Sequence, residues 1–307
     1  MWCVVGMVIK VYSIASWDVC DLYGEPTTEY QRQLRFSPEG DGRWGNIQIV
    51  DNFDEADIYV QFWPDKTGQR HKCPPGTVIN LMREATHCIP KPSRIGRETL
   101  YSRWVSMDHN PQGWWIGKTY KELASNDFPQ KTKTLSYVTS GRQFLRGHKL
   151  RLQFTTKFAQ TYPGVLDLYG KNIGGYNLAR IKGYKGNVKD KWDGLAPYRY
   201  SFAFNNIYEK NYFDEKLGDV ILAGCTPIFY GCPNIGDFFP EGSYYYLDIT
   251  KPGAVKEAFD VINSDYREEN LDALKKAKDL WLNKYSLQPT VHKIVNELIE
   301  AGKLNLK

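Results

Sequence analysis

The residues best suited to chemistry lie between Tyr198 and Gly231. The run Tyr198-Arg199-Tyr200-Ser201-Phe202-Ala203-Phe204 reads as a buried strand ending at polar Asn205-Asn206. Tyr212-Phe213-Asp214-Glu215-Lys216-Leu217 then reads as the opening of a helix. A helix N-terminus carries free N–H groups and a partial positive charge. A lysine in that turn, Lys216, has the chemistry to clamp a diphosphate. The pattern alone leaves the alternative open, because Asp214 and Glu215 are also ordinary helix starters and Lys216 an ordinary surface residue. In the first half, Val78-Ile79-Asn80-Leu81-Met82 reads as a buried strand, and Glu84 follows directly after Arg83. That spacing leaves a carboxylate at a strand end, free to act on a ligand or to pair with Arg83 at the surface.

The elements that must carry these groups alternate between strand-like and helix-like along the chain, which points to α/β layers. In the first half the apolar runs are Val8–Ile14, Ile47–Val50, Ile58–Phe62, Val78–Met82 and Trp104–Met107, with a helix expected at Thr28–Leu34. Residues 109–133 are rich in Asn, Pro, Gly, Lys and Asp, and read as the passage between domains. The pattern then restarts, with strands at Thr134–Thr139, Val165–Tyr169, Tyr200–Phe204, Pro227–Tyr230 and Ser243–Leu247. Helices are expected at Lys149–Ala159 and Phe213–Leu222, and throughout from Gly253 onward. A length of 307 residues suits two domains. The predicted division is 1–130 and 131–307. In open α/β sheets ligands bind outside the carboxyl ends of the strands, so residues just after strands are the candidates.

Composition narrows the partners. The net charge of +5 is mild and suits a phosphate-bearing small ligand, and no basic arm or nucleic-acid motif is present. Aromatic residues make up 14% of the chain, and their faces suit sugar rings as well as a core. The six cysteines contain no C-x-x-C pair, which argues against a disulfide framework or a zinc site. The acids of Phe53-Asp54-Glu55-Ala56-Asp57 read as a solvated turn rather than a metal site. No stretch reaches the 18 or more apolar residues of a membrane span, so a cytoplasmic chain is expected.

The segment from Tyr198 through Ala223-Gly224-Cys225-Thr226-Pro227-Ile228-Phe229-Tyr230-Gly231 to Phe238-Phe239-Pro240 and Tyr246-Leu247-Asp248 resembles the signature of the α1,3/4-fucosyltransferases, glycosyltransferase family 10. Upstream, Ser136-Tyr137-Val138-Thr139-Ser140, the pair Arg151 and Phe154, and Asp167-Leu168-Tyr169-Gly170 resemble further stretches of that family. The resemblance implies an α/β protein of GT-B type, two Rossmann-like domains facing across a cleft. It places acceptor binding in 1–130 and GDP-sugar binding in 131–307, with the C-terminal helices in the latter. Donor contacts are implied at Arg151, Asn206, Tyr212, Glu215 and Lys216, the arginine and the lysine meeting the phosphates.

The resemblance further implies inverting transfer of fucose from GDP-fucose to a glycan hydroxyl, α1,3 or α1,4 to GlcNAc. No cofactor or metal is implied, because protein cations stand at the diphosphate. The expected partners are a GDP-sugar and an oligosaccharide acceptor, with no nucleic acid. The base that accepts the acceptor proton is implied to be Glu84, with Asp108 the second choice, and Trp114-Trp115 is a candidate for acceptor contact or core packing. Three positions depart from the family. Asn205 stands where Glu is usual, Asp214 replaces Thr or Ser, and Gly141 replaces Asn. Transfer of another GDP-linked hexose, or non-catalytic glycan or nucleotide binding on the same fold, are the alternatives.

Overall fold

The computed structural model describes residues 7–14, 28–61, 69–82, 101–104, 113–125 and 127–304, with the backbone alone at 70–71, 82 and 101–104. The chain forms two compact units. One comprises Met1–Gly113, Lys118–Ala124 and Leu282–Lys307, the other Trp114–Gly117 and Ser125–Trp281.

The first unit is built on a six-stranded sheet of β1 (Ile9–Ile14), β2 (Arg43–Trp44), β3 (Ile47–Ile49), β4 (Ile58–Gln61), β5 (Val78–Met82) and β6 (Tyr101–Trp104). The order is β2-β3-β1-β4-β5-β6, and only the two-residue β2 runs antiparallel. The last strand lies at Tyr101–Trp104 rather than the expected Trp104–Met107, and 105–107 fall outside the described residues. Helix α1 (Glu29–Leu34) opens with a capping box, Thr28 accepting from Gln31 N–H and Gln31 reaching back to Thr28 N–H. Thr119 and Glu122 cap the short α2 (Tyr120–Leu123) in the same way.

The second unit has a five-stranded, fully parallel sheet of β7 (Lys133–Ser140), β8 (Leu166–Lys171), β9 (Tyr198–Phe204), β10 (Thr226–Tyr230) and β11 (Tyr245–Tyr246), in the order β11-β10-β9-β7-β8. Helices cover the sheet, so β10 is buried throughout and apolar from Pro227 on. Helix α3 (Arg146–Thr161) follows β7 and α4 (Glu215–Leu222) precedes β10, while α5 (Ala254–Ile262), α6 (Tyr266–Glu269) and α7 (Leu271–Leu280) close the unit. Phe154, Phe158, Phe202, Phe204 and Tyr137 pack edge-on between α3 and the sheet.

The C-terminal helices divide between the units, which corrects the predicted boundary for the last of them. Helix α8 (Leu287–Glu300) belongs to the first unit, after a single π turn at Trp281–Tyr285. Its buried Leu287, Val291, Ile294, Val295 and Leu298 form an apolar stripe. Gln288 donates to Gln33 O at 3.1 Å, and the amides of Asn296 and Asn46 exchange hydrogen bonds at 3.0 and 3.1 Å. Periodicity shows that such a helix has an apolar face, not which sheet that face meets. Trp114 through Gly117, read as linker, belong to the second unit, where Trp114 is wholly buried and Trp115 N–H donates to Asp219 at 2.7 Å.

Candidate functional site

The order of the second sheet reverses direction between β7 and β9, the point where open α/β sheets leave a crevice at the strand carboxyl ends. Both strands end there in polar residues, Ser140 on β7 and Asn205-Asn206 after β9. Arg151 of α3 spans them. Its Nη1 donates to Asn206 Oδ1 at 2.6 Å, and its Nη2 to Ser140 O and Oγ at 3.3 Å each. Arg151 as a residue is 3% exposed, and its Nε has no hydrogen-bond partner among the described residues. A planar fork fixed in this way presents a charge at one position, which suits a phosphate.

Lys216 enters from the first turn of α4. Asp214 caps that helix, its Oδ1 accepting Lys216 N–H at 3.1 Å while its Oδ2 pairs with the Lys216 ammonium. Asp therefore does the capping job that Thr or Ser does equally well, which explains this departure from the family pattern. Glu215 Oε1 stands 3.7 Å from the same ammonium. Burial lowers the lysine's proton affinity, but the two carboxylates outweigh it and raise it. Burial pushes Glu215 up too, yet Lys216 and Lys191 hold it below the ordinary glutamate range, whereas buried Asp214 is raised. Phe213 locks the entry to α4 among Phe238, Phe239 and Trp281, and Gly218 leaves room for the Trp281 ring against the helix.

His148 stands beside these charges. This ring in the first turn of α3 is 2% exposed and accepts Leu145 N–H through Nδ1 at 3.2 Å. Burial, then the charges of Arg151, Lys216 and Arg142, bring its pKa down to about 4. The ring is thus neutral near pH 7, among cations suited to an anionic ligand.

Of the predicted residues, Arg151 and Asn206 are directly bonded, and Glu215 and Lys216 stand together in one helical turn. The charge of Arg151 acts on the Lys216 ammonium. Tyr212 is 3% exposed, and its carbonyl accepts from Asn205 Nδ2 at 3.0 Å. Glu84 and Asp108 lie outside the described residues.

Sequence reasoning missed His148 and Gly147, and it noted Gly141 only as a departure from the resembled family. A Cβ on Gly147 would fall 1.9 Å from Asn206 O, so only glycine lets α3 press its first turn onto the β9 end. A Cβ on Gly141 would fall 2.0 Å from Tyr176 O, which explains why this chain has no Asn there. Glycines inside a helix start or just past a strand are the available signal.

Two α/β units, one on a mostly parallel sheet and one on a fully parallel sheet, give the chain a fold of the GT-B type. Solved structures agree at the level of fold. An α-glucosyltransferase bound to UDP and a 13-mer DNA superposes with a TM-score of 0.58 at 9% identity, covering 96% of this chain and 100% of its own. A DNA-modifying β-glucosyltransferase gives 0.55 at 12%, covering 95% and 100%. No protein-family model matches the chain. Curated relatives match over short segments. A putative fucosyltransferase-like protein of Arabidopsis thaliana is 41% identical over 56 residues, 18% of this chain and 11% of its own length. An α-(1,3)-fucosyltransferase of Helicobacter pylori is 29% identical over 98 residues, 32% of this chain and 20% of its own. The chain therefore matches a fifth or less of those relatives' lengths, and they are of the kind that the sequence motifs resemble.

Proposed function

We propose that this chain is an inverting glycosyltransferase that moves fucose from GDP-fucose to a hydroxyl of a glycan acceptor, α1,3 or α1,4 to GlcNAc. The observation that carries this reading is Arg151, fixed between the β7 and β9 ends by Ser140 and Asn206, with Lys216 in the first turn of the next helix. The segment matches to fucosyltransferases support the donor.

In this reading the acceptor oxygen attacks the anomeric carbon as the bond to the β-phosphate oxygen breaks, inverting the centre. Negative charge grows on the departing GDP, and Arg151 and Lys216 stabilise it. Lys216 gives up part of its hold on Asp214 and Glu215 to do so. Asn206 keeps the guanidinium in place, and Glu215 and Tyr212 line the ribose and fucose positions. Glu84 takes the acceptor proton. The reading includes metal-independent transfer and a cytoplasmic location. For the latter the structure offers one fact: no helix among the described residues is long and apolar enough to cross a membrane.

The test is direct. The full chain is incubated with GDP-fucose and a panel of GlcNAc-containing acceptors, with and without excess EDTA, and products are weighed by mass spectrometry. An acceptor heavier by one deoxyhexose in both arms is expected. Transfer from GDP-mannose but not GDP-fucose overturns the donor assignment, and loss in EDTA restored by manganese overturns the metal-independent chemistry.

A further inference from the structure

Three asparagines surround the backbone that leads into Tyr212 and α4. Asn205, just past β9, is 1% exposed; its N–H donates to Tyr230 O at 2.8 Å and its Nδ2 to Tyr212 O at 3.0 Å. Facing a carbonyl fixes which end of this amide is nitrogen, and its Oδ1 has no partner among the described residues. Gly231, at φ +149°, closes over the amide; a Cβ there would fall 2.7 Å from Nδ2. Asn211, at φ 61°, is the one non-glycine residue with positive φ among the described residues. Its N–H donates to Asn234 Oδ1 at 2.9 Å, and its Oδ1 accepts from Asn234 Nδ2 at 2.6 Å. Asn234 is itself held by Asp237 Oδ2 at 2.9 Å and by the Cys232 thiol, which donates to its Oδ1 at 3.2 Å.

An unfavourable backbone conformation persists only where the surroundings over-determine it. Here side-chain amides on both sides supply that determination, one at Asn211 and one at Tyr212. We propose that Asn205, Asn211 and Asn234 form an amide clamp that positions Tyr212 and the start of α4 for the donor, which makes them positioning residues of the site. The inference rests on the donor reading above.

The clamp requires an amide at 205. A carboxylate has no N–H to give to Tyr212 O and would set two acceptors face to face. This accounts for Asn at 205 where the resembled family carries Glu. The chemistry also supplies a signature that a packing role lacks. A buried aspartate at 205 would be held protonated as pH falls, and its O–H can then donate to the same carbonyl.

Full-length wild type and Asn205→Asp are titrated with GDP by calorimetry at about pH 8.5 and about pH 5.5, with melting temperatures at both. At high pH the variant should bind about ten-fold or more weakly than wild type, and at low pH within about three-fold, as expected for loss and recovery of one buried hydrogen bond. Equal affinity at high pH, or a deficit that acid does not repair, overturns the clamp. If Asn205→Asp does not fold, Asn211→Gly decides: it keeps the left-handed backbone but loses the amide seat on Asn234. Weaker GDP binding, about three-fold or more, supports the clamp, and wild-type affinity overturns it. A wild-type chain that does not bind GDP overturns the donor reading and the clamp together.

Discussion

Replacing Arg151 by alanine should weaken both folding and GDP binding, by amounts that two measurements on the same variant can tell apart. The side chain makes one bond at 2.6 Å to Asn206 and two at 3.3 Å to Ser140. Its loss leaves Asn206 Oδ1 and Ser140 without their shared donor, at a cost of about 1–3 kcal/mol in stability. A domain of this size loses about 2–4 °C for each kcal/mol, so melting should fall by about 2–12 °C. The proposed phosphate contact is a hydrogen bond to a charged group, worth about 1.5–3 kcal/mol. Each 1.4 kcal/mol is tenfold, so Arg151→Ala should bind GDP about 10- to 150-fold more weakly. Arg151→Lys keeps the charge and loses the planar fork, and should fall in between. Turnover with GDP-fucose should drop further than affinity, because the charge on the leaving diphosphate peaks in the transition state. Calorimetry with GDP and thermal melts of the same samples give both quantities. If Arg151→Ala melts lower but binds GDP within about two-fold of wild type, the arginine ties strand ends together and does not meet the phosphate.

Glu84→Gln should lower transfer by about 10²–10⁴-fold with GDP affinity and melting temperature unchanged; parallel loss of all three assigns Glu84 a structural role, and an active Glu84→Gln beside an inactive Asp108→Asn moves the base to Asp108. His148, depressed to about 4 in the fold, should make the protein less stable as pH falls. The unfolded chain binds that proton from about pH 6.5, so stability declines between about 6.5 and 4, by up to about 3 kcal/mol. Denaturant titrations of His148→Asn, which keeps an acceptor for Leu145 N–H, should show a flatter profile over that window. Gly218→Ala gains about 1 kcal/mol in helix propensity, yet sets a methyl 2.1 Å from the Trp281 ring. Overpacking against a rigid ring should win by about 1–3 kcal/mol, read as a lower melting temperature, and unchanged melting would show that the α4–Trp281 contact can yield.

Much of the second unit could be read from its residues. A buried parallel strand reads as a near-continuous apolar run, and Phe202–Phe204 and Pro227–Tyr230 carry one. Asp214 at the helix start and the polar Asn205-Asn206 pair at the strand end are local features, written in the order of the chain. Position after a strand, with the resemblance, was enough to nominate Arg151, Asn206, Glu215 and Lys216.

What the sequence could not decide was everything set by contacts between distant segments. Arg151 and Asn206 lie 55 residues apart, and their bond exists because β7 and β9 are neighbours at a reversal of strand order. The depressed proton affinity of His148 follows first from its burial and then from the charges of Arg151, Lys216 and Arg142, of which Lys216 comes from a distant segment. Gly141 and Gly147 look like ordinary loop and helix-start glycines until the backbones of Tyr176 and Asn206 occupy the space of their missing side chains. The allegiance of α8 to the first unit is of the same kind, since an apolar stripe records that a helix is buried and not against what. Local propensity and periodicity act over a few residues, so the chain order determines the elements. Strand order, register and close packing act across the whole chain, and they alone decide which side chains meet.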